Sequence, residues 1–301
     1  MPLHGLESKR VLLFGKNGQL GTELCRVLVD SCELLALGRR EADLERPEEI
    51  RKTIREFRPV VVINAAAYTG VDAAEANREL AQRVNAAAPA VIAEEVRRAD
   101  ALLVHYSTDY VFNGEKESPY VEEDEPSPLN VYGATKLDGE RAVQHSACRY
   151  LIFRISWLYA AHGKNFYATV LRLSADRPQL RIVDDQWGSP TSAGDVADAT
   201  AAVLEKVVGT PSAAALSGIY HMTGPGRTTW CAFAREIVKS ARRATASEIA
   251  SISTEEYGAP AKRPRNSVLS SEKLARVFEV VLPPWKEQLR RVAAIADSGH
   301  G

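Results

Sequence analysis

A tyrosine and a lysine stand four positions apart, at Tyr132 and Lys136, within the segment Tyr-Gly-Ala-Thr-Lys. On a helix, residues at this spacing share one face, about one turn apart. An ammonium group beside a phenol favours the phenolate and lowers the pKa of the tyrosine from its usual value of about 10. The phenol can then exchange a proton with a substrate oxygen. Such pairs also occur on solvated helix faces, so the assignment depends on what surrounds the pair.

A second set of polar residues precedes the pair, at the end of an apolar segment. The predicted strand at 102–105 runs into Ser107, Thr108 and Asp109. At the carboxyl end of a strand, the Thr108 hydroxyl can hydrogen-bond and orient a carbonyl oxygen. Reduction of a carbonyl would then add a hydride to the carbon and a proton from Tyr132 to the oxygen. Asp109 is interpreted as a structural residue.

A glycine-rich turn follows the first apolar segment, the predicted strand at 11–14. Gly15, Gly18 and Gly21 have the spacing G-x-x-G-x-x-G. Glycines let the backbone approach a pyrophosphate, and the N-terminus of the following helix attracts its charge. The position at the first strand–helix junction favours dinucleotide binding over an ordinary turn. The predicted cofactor contacts in this segment are Gly15, Asn17, Gly18, Gln19, Leu20 and Gly21.

The second predicted strand ends at two arginines, Arg39 and Arg40. NAD-selective sites usually have an acid at this point, whereas an arginine suits a 2′-phosphate. We therefore predict NADPH as the cofactor, with NADH possible, and Arg39 rather than Arg40 as the contact. The alternative is that both arginines are exposed surface charges. Further cofactor contacts are expected from Asp43, Leu44, Ala65, Ala66 and Ala67.

The elements that position these residues alternate along the first half of the chain. Predicted strands cover 11–14, 34–37, 60–63, 102–105 and 150–155, and predicted helices cover 20–29, 47–57, 74–84 and 89–98. Continuously apolar strands between helices predict an α/β fold, a Rossmann-type doubly wound parallel sheet. After Trp157 the rhythm is less regular, with helical patterns near 165–173, 194–207 and 230–242. We predict a Rossmann domain at 1–156 that binds NAD(P). A smaller, interleaved lobe at 157–301 would mainly bind substrate, and residues at about 194–224 would return to the Rossmann domain.

Composition limits the classes of partner. The chain has 38 Lys+Arg against 39 Asp+Glu, a net charge of -1, which gives no general reason to expect nucleic acid. Its four cysteines and six histidines lack zinc-site spacing. No apolar run approaches the roughly 20 residues needed to span a bilayer. We expect a cytoplasmic protein, monomer or homodimer, with no membrane or metal partner.

Together these segments resemble the extended short-chain dehydrogenase/reductase family, and the likeness runs from about residue 11 to 285. The broad family is indicated by GKNGQLG (15–21), NAAAYTGVDAAE (64–75), STDYVF (107–112) and YGATKLDGE (132–140). Nucleotide-sugar reductases within it are indicated by RISWLY (154–159), DQWGSPT (185–191) and RPRNS (263–267). The resemblance implies NAD(P)H-dependent reduction of a dTDP-linked keto sugar at C4, dTDP-4-dehydro-L-rhamnose giving dTDP-L-rhamnose. It implies Thr108, Tyr132 and Lys136 as the catalytic set, with Tyr132 and Lys136 also contacting the cofactor. The implied substrate contacts are Thr108, Tyr110, Trp157, Trp230, Arg263 and Asn266.

Alternatives and departures remain at this point. The substrate could be another nucleotide-linked 4-keto sugar, or the chain could be a non-catalytic regulatory subunit like that of methionine adenosyltransferase. Trp157 and Trp230 could be core aromatics. Thr135 stands where the family usually has serine. Some relatives form a dimer around magnesium held by carboxylates; Glu23 matches one such position, but Gly194 stands where another carboxylate is expected. No structural metal is predicted.

Overall fold

The computed structural model describes residues 5–208, 213–240 and 248–298. The strands are β1 (Arg10–Phe14), β2 (Glu33–Leu37), β3 (Val61–Asn64), β4 (Leu102–Thr108), β5 (Arg149–Ile155), β6 (Leu158–Tyr159), β7 (Gln179–Val183), β8 (Trp187–Gly188), β9 (Thr191–Ser192), β10 (Gly218–His221), β11 (Thr228–Thr229) and β12 (Glu248–Ile252). The helices are α1 (Gln19–Leu28), α2 (Pro47–Phe57), α3 (Val71–Ala76), α4 (Arg78–Gln82), α5 (Ala88–Arg98), α6 (Val131–His145), α7 (Phe166–Asp176), α8 (Ala193–Val207), α9 (Trp230–Ser240), α10 (Thr254–Tyr257), α11 (Glu272–Phe278) and α12 (Trp285–Ser298). A π-helix spans Arg83–Ala87, and 3-10 turns span Asp109–Val111 and Ala213–Leu216. The last two residues of the predicted helix at 230–242 lie outside the described residues.

Six strands form one parallel sheet in the order β10-β5-β4-β3-β1-β2. From β1 the chain passes first to β2 on one side and then to β3 on the other. In open α/β sheets, ligands bind outside the carboxyl ends of the strands at such a reversal. The predicted fold class is confirmed, and the sheet places its binding crevice next to β1, where the glycine turn begins.

Alternate side chains of β1 pack into two separate cores, one on each face of the sheet. Val11 and Leu13 lie in one core, which includes Leu24 of α1 and Val196 of α8. Leu12 lies on the opposite face of the sheet, in a core with residues of α2 and α5. Successive strand side chains point to opposite faces, so a continuously apolar strand covered by helices on both sides is what this sequence favours. No helix in the described ranges has the length and apolar character required to cross a membrane.

A third core lies apart from the large sheet. It is built from aromatic and aliphatic side chains of α7, α9 and α12, with Phe233 and Trp285 packed edge to face. In contrast, α8 packs in the core of the large sheet, and β10 pairs with β5 at its edge. The chain therefore leaves the sheet after β5 and comes back to it twice. The domain bounds at 156 and 157 stay a prediction.

The predicted continuous helix at 74–84 is wrong. The structure divides it into α3, α4 and the π-helix, and the break falls at Asn77, whose backbone takes φ -123° and ψ 44°. The Asn77 side chain donates to the carbonyl of Ala73 at 2.8 Å. An asparagine side chain that hydrogen-bonds a backbone group of the preceding turn competes with helix continuation, which the apolar pattern does not register.

The π-helix supports the helix that carries Tyr132 and Lys136. Its buried Asn85 donates through Nδ2 to the hydroxyl of Thr135 on α6 at 3.2 Å. A Cβ at Gly139 of α6 would lie 2.1 Å from the carbonyl oxygen of Asn85. Only glycine permits this close approach of the two helices. The hydroxyl of Thr135 therefore links the π-helix to α6.

Candidate active site

A cleft of about 850 Å³ opens at the carboxyl ends of the sheet strands. Its volume lies within the range of roughly 300–1,000 Å³ that is common for ligand sites. Most of the predicted site residues line it: Gly15, Asn17, Gly18, Gln19, Leu20, Arg39, Asp43, Leu44, Ala65, Ala66, Ala67, Thr108, Tyr110, Tyr132, Lys136, Trp157, Trp230 and Arg263. Two predicted contacts, Gly21 and Asn266, are not among the lining residues.

The glycine turn has the geometry that a bound pyrophosphate needs. Gly15 has a φ of +94°, and a Cβ there would lie 2.7 Å from the backbone nitrogen of Ala66. Helix α1 begins after Gly18 without a side-chain cap, so its first N–H groups are free to face an anion. At Gly21 a Cβ would lie 1.9 Å from the carbonyl oxygen of Gly15, so this glycine lets α1 pack closely against the turn; its contact with the cofactor stays a prediction. These residues fit a dinucleotide.

The rim beside β2 carries paired charges of both signs. Arg39 is largely exposed and forms ion pairs with Glu45 at 2.6 Å and Asp43 at 3.5 Å. Next to it, Glu41 pairs with Lys16 at 2.7 Å and accepts a hydrogen bond from the backbone N–H of Gly38 at 2.9 Å. The contact between Arg39 and a 2′-phosphate stays a prediction.

Lys136 is almost fully buried at the floor of the cleft. Its ammonium donates to the backbone carbonyl of Tyr106 at 2.6 Å and lies 3.5 Å from Nε2 of His105. Burial lowers the pKa of Lys136 to about 8, and the negative charge of Glu140 one turn along α6 opposes the shift. The Lys136 side chain is thereby fixed from the neighbouring strand, and its proton is exchangeable close to neutral pH.

Tyr132 does not have the lowered pKa that the Tyr/Lys spacing predicts. Burial raises the pKa of Tyr132 to about 12, opposed by a hydrogen bond with Thr108. The negative charge of Asp109 also raises this pKa, and the Lys136 ammonium, which is directed to the carbonyl of Tyr106, does not offset it. At neutral pH the phenol therefore carries its proton, which is the form that a proton donor requires.

The Thr108 hydroxyl connects Tyr132 to a buried carboxyl group. It donates to Oδ1 of Asp109 at 3.1 Å and accepts from the backbone N–H of Tyr110 at 3.1 Å. Oδ2 of Asp109 accepts from the hydroxyl of Ser156 at 3.0 Å, and Ser267 is a further hydrogen-bond partner of the carboxyl. Burial raises the pKa of Asp109 to about 6, and these hydroxyl groups oppose the shift. Sequence reasoning missed Ser156 and Ser267, because no spacing links three segments so far apart in the chain.

Aromatic side chains form a second part of the cleft lining, apart from the glycine turn. The rings of Trp157 and Trp230 are stacked, with centroids 3.5 Å apart and an interplanar angle of 6°. Trp157 has a left-handed φ of +46°, and a Cβ at Gly188 would lie 2.2 Å from its ring. Its buried Nε1 has no hydrogen-bond partner. The glycine and the unusual backbone together place the Trp157 ring against the main chain, where it also lines the cleft.

Arg263 and Asn266, two of the predicted substrate contacts, differ in position. Arg263 lines the cleft, forms a bidentate ion pair with Asp72 at 2.8 and 3.0 Å, and is a hydrogen-bond partner of the Tyr110 hydroxyl. Asn266 instead donates to the backbone carbonyl of Lys116 at 2.7 Å. Its side chain anchors that loop, so its position supports a structural role.

The carboxylates near α1 are held by side chains. Glu23 pairs with Arg26 at 2.8 Å and with His162 at 2.9 Å, and Arg26 also reaches Asp198 at 2.9 Å. Across the described ranges there is no group of three or more His, Cys, Asp or Glu residues arranged to hold a metal ion.

The doubly wound sheet, the glycine turn at its reversal and the Thr/Tyr/Lys set at the strand ends define an extended short-chain dehydrogenase/reductase. The chain belongs to the RmlD substrate binding domain family, whose model matches residues 9–297. It is 47% identical over 284 residues to dTDP-4-dehydrorhamnose reductase of Burkholderia thailandensis, covering 92% of this chain and 95% of that protein. The enzyme of the same name from Salmonella typhimurium is 43% identical over 290 residues, covering 94% and 96%. The crystal structure of dTDP-4-dehydrorhamnose reductase from Bacillus anthracis in complex with NADP superimposes with a TM-score of 0.88 at 35% identity, covering 96% of this chain and all of that one. The resemblance stated from the motifs is confirmed.

Proposed function

We propose that this protein is an NADPH-dependent oxidoreductase that reduces the C4 keto group of dTDP-4-dehydro-L-rhamnose to give dTDP-L-rhamnose. The observation that carries the proposal is the Thr108, Tyr132 and Lys136 set at the floor of the cleft, in which Thr108 and Lys136 are buried and Tyr132 is partly buried. It lies in a chain that matches dTDP-4-dehydrorhamnose reductases over more than nine-tenths of its length. A regulatory protein that only binds a dinucleotide has no need of a proton donor at this position.

The part of the cleft formed by the glycine turn and residues 65–67, called the cofactor wall below, fits NADPH. Gly15, Gly18 and the first turn of α1 would hold the pyrophosphate, and Ala65 to Ala67 leave space for the cofactor against the backbone. Arg39 would contact the 2′-phosphate, for which it must leave Glu45. When bound, NADPH supplies the hydride that the carbonyl carbon receives. NADH lacks the 2′-phosphate and would lose only this exposed contact, so we expect it to be a weaker alternative donor.

Three side chains would act on the carbonyl oxygen. Tyr132 is the proton donor, since its high pKa keeps the phenol protonated at neutral pH. Thr108 lies beside it and orients the oxygen. Lys136 is charged below a pH of about 8 and lies one turn from Tyr132. It would stabilise the phenolate that forms when the proton leaves, for which its ammonium must turn from the Tyr106 carbonyl toward the Tyr132 oxygen.

The part of the cleft formed by Trp157, Trp230 and Arg263, called the substrate wall below, would bind the sugar nucleotide. Trp157 and Trp230 offer aromatic surface next to the catalytic residues, and Tyr110 lies 6.1 Å from Tyr132 between ring centroids. Arg263 is the cation of this wall, and a guanidinium can bind a diphosphate through two hydrogen bonds. In the structure it is paired with Asp72. Substrate must therefore compete with Asp72 or add to that pair.

A panel of nucleotide-linked 4-keto sugars tests the proposal directly. Oxidation of NADPH, followed by its absorbance, should be fastest with dTDP-4-dehydro-L-rhamnose. Faster oxidation with another keto sugar nucleotide would assign the protein to that substrate instead. Binding of NADPH without oxidation by any member of the panel would favour the regulatory-subunit alternative.

We expect a cytoplasmic monomer or homodimer, and light scattering of the purified protein measures which form is present.

A further inference from the structure

His105 is buried on β4 between two polar groups, and the mechanism above does not use it. It is 1% exposed. Asn64, at the end of β3, is its register partner in the sheet, and Nδ2 of Asn64 lies 3.2 Å from Nδ1 of His105. On the other side of the ring, Nε2 of His105 lies 3.5 Å from Nζ of Lys136. The imidazole therefore connects the end of β3 to the catalytic lysine.

The hydrogen bonds of Asn64 determine which nitrogen of His105 carries the proton. Oδ1 of Asn64 accepts from the backbone N–H of Ala66 at 3.2 Å, which fixes the orientation of the amide. The NH₂ group of Asn64 therefore faces His105, and since it can only donate, Nδ1 of His105 must accept. Burial, and secondly the charge of Lys136, hold the pKa of His105 well below its usual value, so the ring is neutral. A neutral imidazole that accepts at Nδ1 carries its proton on Nε2.

This tautomer offers Lys136 no hydrogen-bond acceptor. The Nε2–H group of His105 faces the ammonium, and two donors cannot bond to each other. Within the described ranges, the carbonyl of Tyr106 is then the one acceptor that holds the ammonium, at 2.6 Å. In the other tautomer, Nε2 would accept from Lys136 as well. The turn of the ammonium toward Tyr132 would then break two hydrogen bonds instead of one.

We propose that Asn64 and His105 are positioning residues that act through Lys136, by keeping the proton of His105 on Nε2. Because the imidazole cannot accept from the ammonium, Lys136 keeps its remaining N–H groups for the cofactor and for the Tyr132 oxygen in the cleft that both residues line. The imidazole neither gives nor takes a proton in the reaction. The proposal rests on the reductase function proposed above and adds two residues to it.

The pH dependence of kcat reports the state of Lys136. The ammonium is the active form, so its contribution is complete below the pKa of about 8 and is lost as the pH rises through that value. An acceptor at Nε2 of His105 would favour the ammonium, raise this pKa and move the alkaline limb to higher pH. The charged and titratable groups around Lys136 come from four elements: His105 from β4, Tyr132 and Glu140 from α6, Arg154 from β5, which pairs with Glu140, and Asp109 from the 3-10 turn, which acts on Tyr132.

The tautomer of His105 can be observed directly in the purified protein without cofactor. ¹⁵N NMR of protein labelled in its histidines distinguishes a protonated ring nitrogen from one with a free lone pair. We expect Nε2 of His105 to carry the proton throughout the range from about pH 6 to 9, without titration of the ring. The His105→Leu variant assigns the signals by their loss. A proton on Nδ1, or a charged ring at neutral pH, would overturn the proposal.

Asn64→Ser tests what the tautomer does for Lys136. A serine hydroxyl can still accept from the N–H of Ala66 two residues further on, but it is too short to reach His105. The proton of His105 is then free to move to Nδ1, and Nε2 can accept from Lys136. We expect the NMR spectrum to show this change. The plateau of kcat should fall about tenfold, and its alkaline limb should move up by about one pH unit.

Asn113→Ser is the matched control. Oδ1 of Asn113 accepts from the N–H of Glu115 at 3.1 Å, which is the same kind of turn as the one between Asn64 and Ala66. The side chain of Asn113 has no contact with a histidine among its hydrogen bonds in the described structure. The variant should therefore change neither the limb nor the tautomer of His105.

Removal of the imidazole separates this role from a purely structural one. In a His105→Leu background, Asn64→Ser can no longer act through the tautomer, so it should change kcat by less than about twofold. An equal loss of kcat in both backgrounds would make Asn64 a structural residue and would overturn the proposal. Wild-type protein that oxidises NADPH with none of the sugar nucleotides would instead refute the proposed function, whereas the NMR result does not depend on turnover.

Discussion

The two walls of the cleft are built in different ways. The cofactor wall consists of backbone and small residues, such as Gly15, Gly18 and Ala66, which lie within the first 67 residues. The substrate wall consists of large side chains, Trp157, Trp230 and Arg263, which come from distant parts of the chain. A backbone wall keeps its shape because the sheet and α1 hold it. The substrate wall depends on contacts between side chains, so its residues can change partners when a ligand binds.

The catalytic residues lie where the two walls meet, and they should show the largest effects. Lys136→Met should lower kcat by about 100- to 10,000-fold, since it removes the charge that stabilises the Tyr132 phenolate. In the wild type this contribution is complete below a pH of about 8 and is lost as the pH rises above that pKa. Initial rates between pH 6 and 10 measure it. Lys52→Met, on an exposed face of α2, is the control and should match the wild type.

The cofactor wall should tolerate no added side-chain atom at Gly15, where the backbone segments approach each other most closely. Gly15→Ala places a Cβ 2.7 Å from the backbone of Ala66 at a φ of +94°. We expect a loss of about 1–3 kcal/mol in the free energy of unfolding and at least a tenfold loss of NADPH affinity. Thermal denaturation and fluorescence titration measure the two quantities.

Gly18→Ala is the matched comparison in the same turn. A Cβ at Gly18 has its nearest contact at 3.4 Å, and its φ is negative. The variant should therefore keep most of the stability that Gly15→Ala loses. Equal losses in the two variants would show that the turn is sensitive to any side chain and that the close approach at Gly15 is not the cause.

A substitution in the substrate wall should weaken substrate binding and leave cofactor binding unaffected. Trp230→Ala removes the ring stacked on Trp157 and should raise the KM for the sugar nucleotide about tenfold. NADPH affinity should stay within about twofold, because the glycine turn is built without this ring. An equal loss of both affinities would contradict the separation of the two walls.

The smallest effect is expected at the rim. Arg39→Ala should lower the preference for NADPH over NADH about three- to tenfold, since Arg39 is exposed and already paired with Glu45. Arg40→Ala should leave the ratio of the two KM values unchanged. The reverse result would assign the 2′-phosphate to Arg40, and no change in either variant would make both arginines ordinary surface charges.

Features that depend on spacing along the chain were accessible from the sequence. The glycine turn, the strands of the sheet and the Tyr132–Lys136 helix all follow from local patterns, and the structure places them together. The pairing of Arg263 with Asp72 and the hydroxyl groups around Asp109 did not follow, because they join distant segments. The prediction of a lowered pKa for Tyr132 was wrong for a related reason. The spacing could not show that the Lys136 ammonium donates to the Tyr106 carbonyl.

Replacement of Tyr132 by phenylalanine tests the central claim, that this phenol is the proton donor. Tyr132→Phe keeps the ring and removes only the hydroxyl group. Single-turnover oxidation of NADPH by dTDP-4-dehydro-L-rhamnose should slow by about 100- to 10,000-fold, with NADPH affinity within about threefold of wild type. A variant that turned over at close to the wild-type rate would show that the proton comes from another group and would contradict the account.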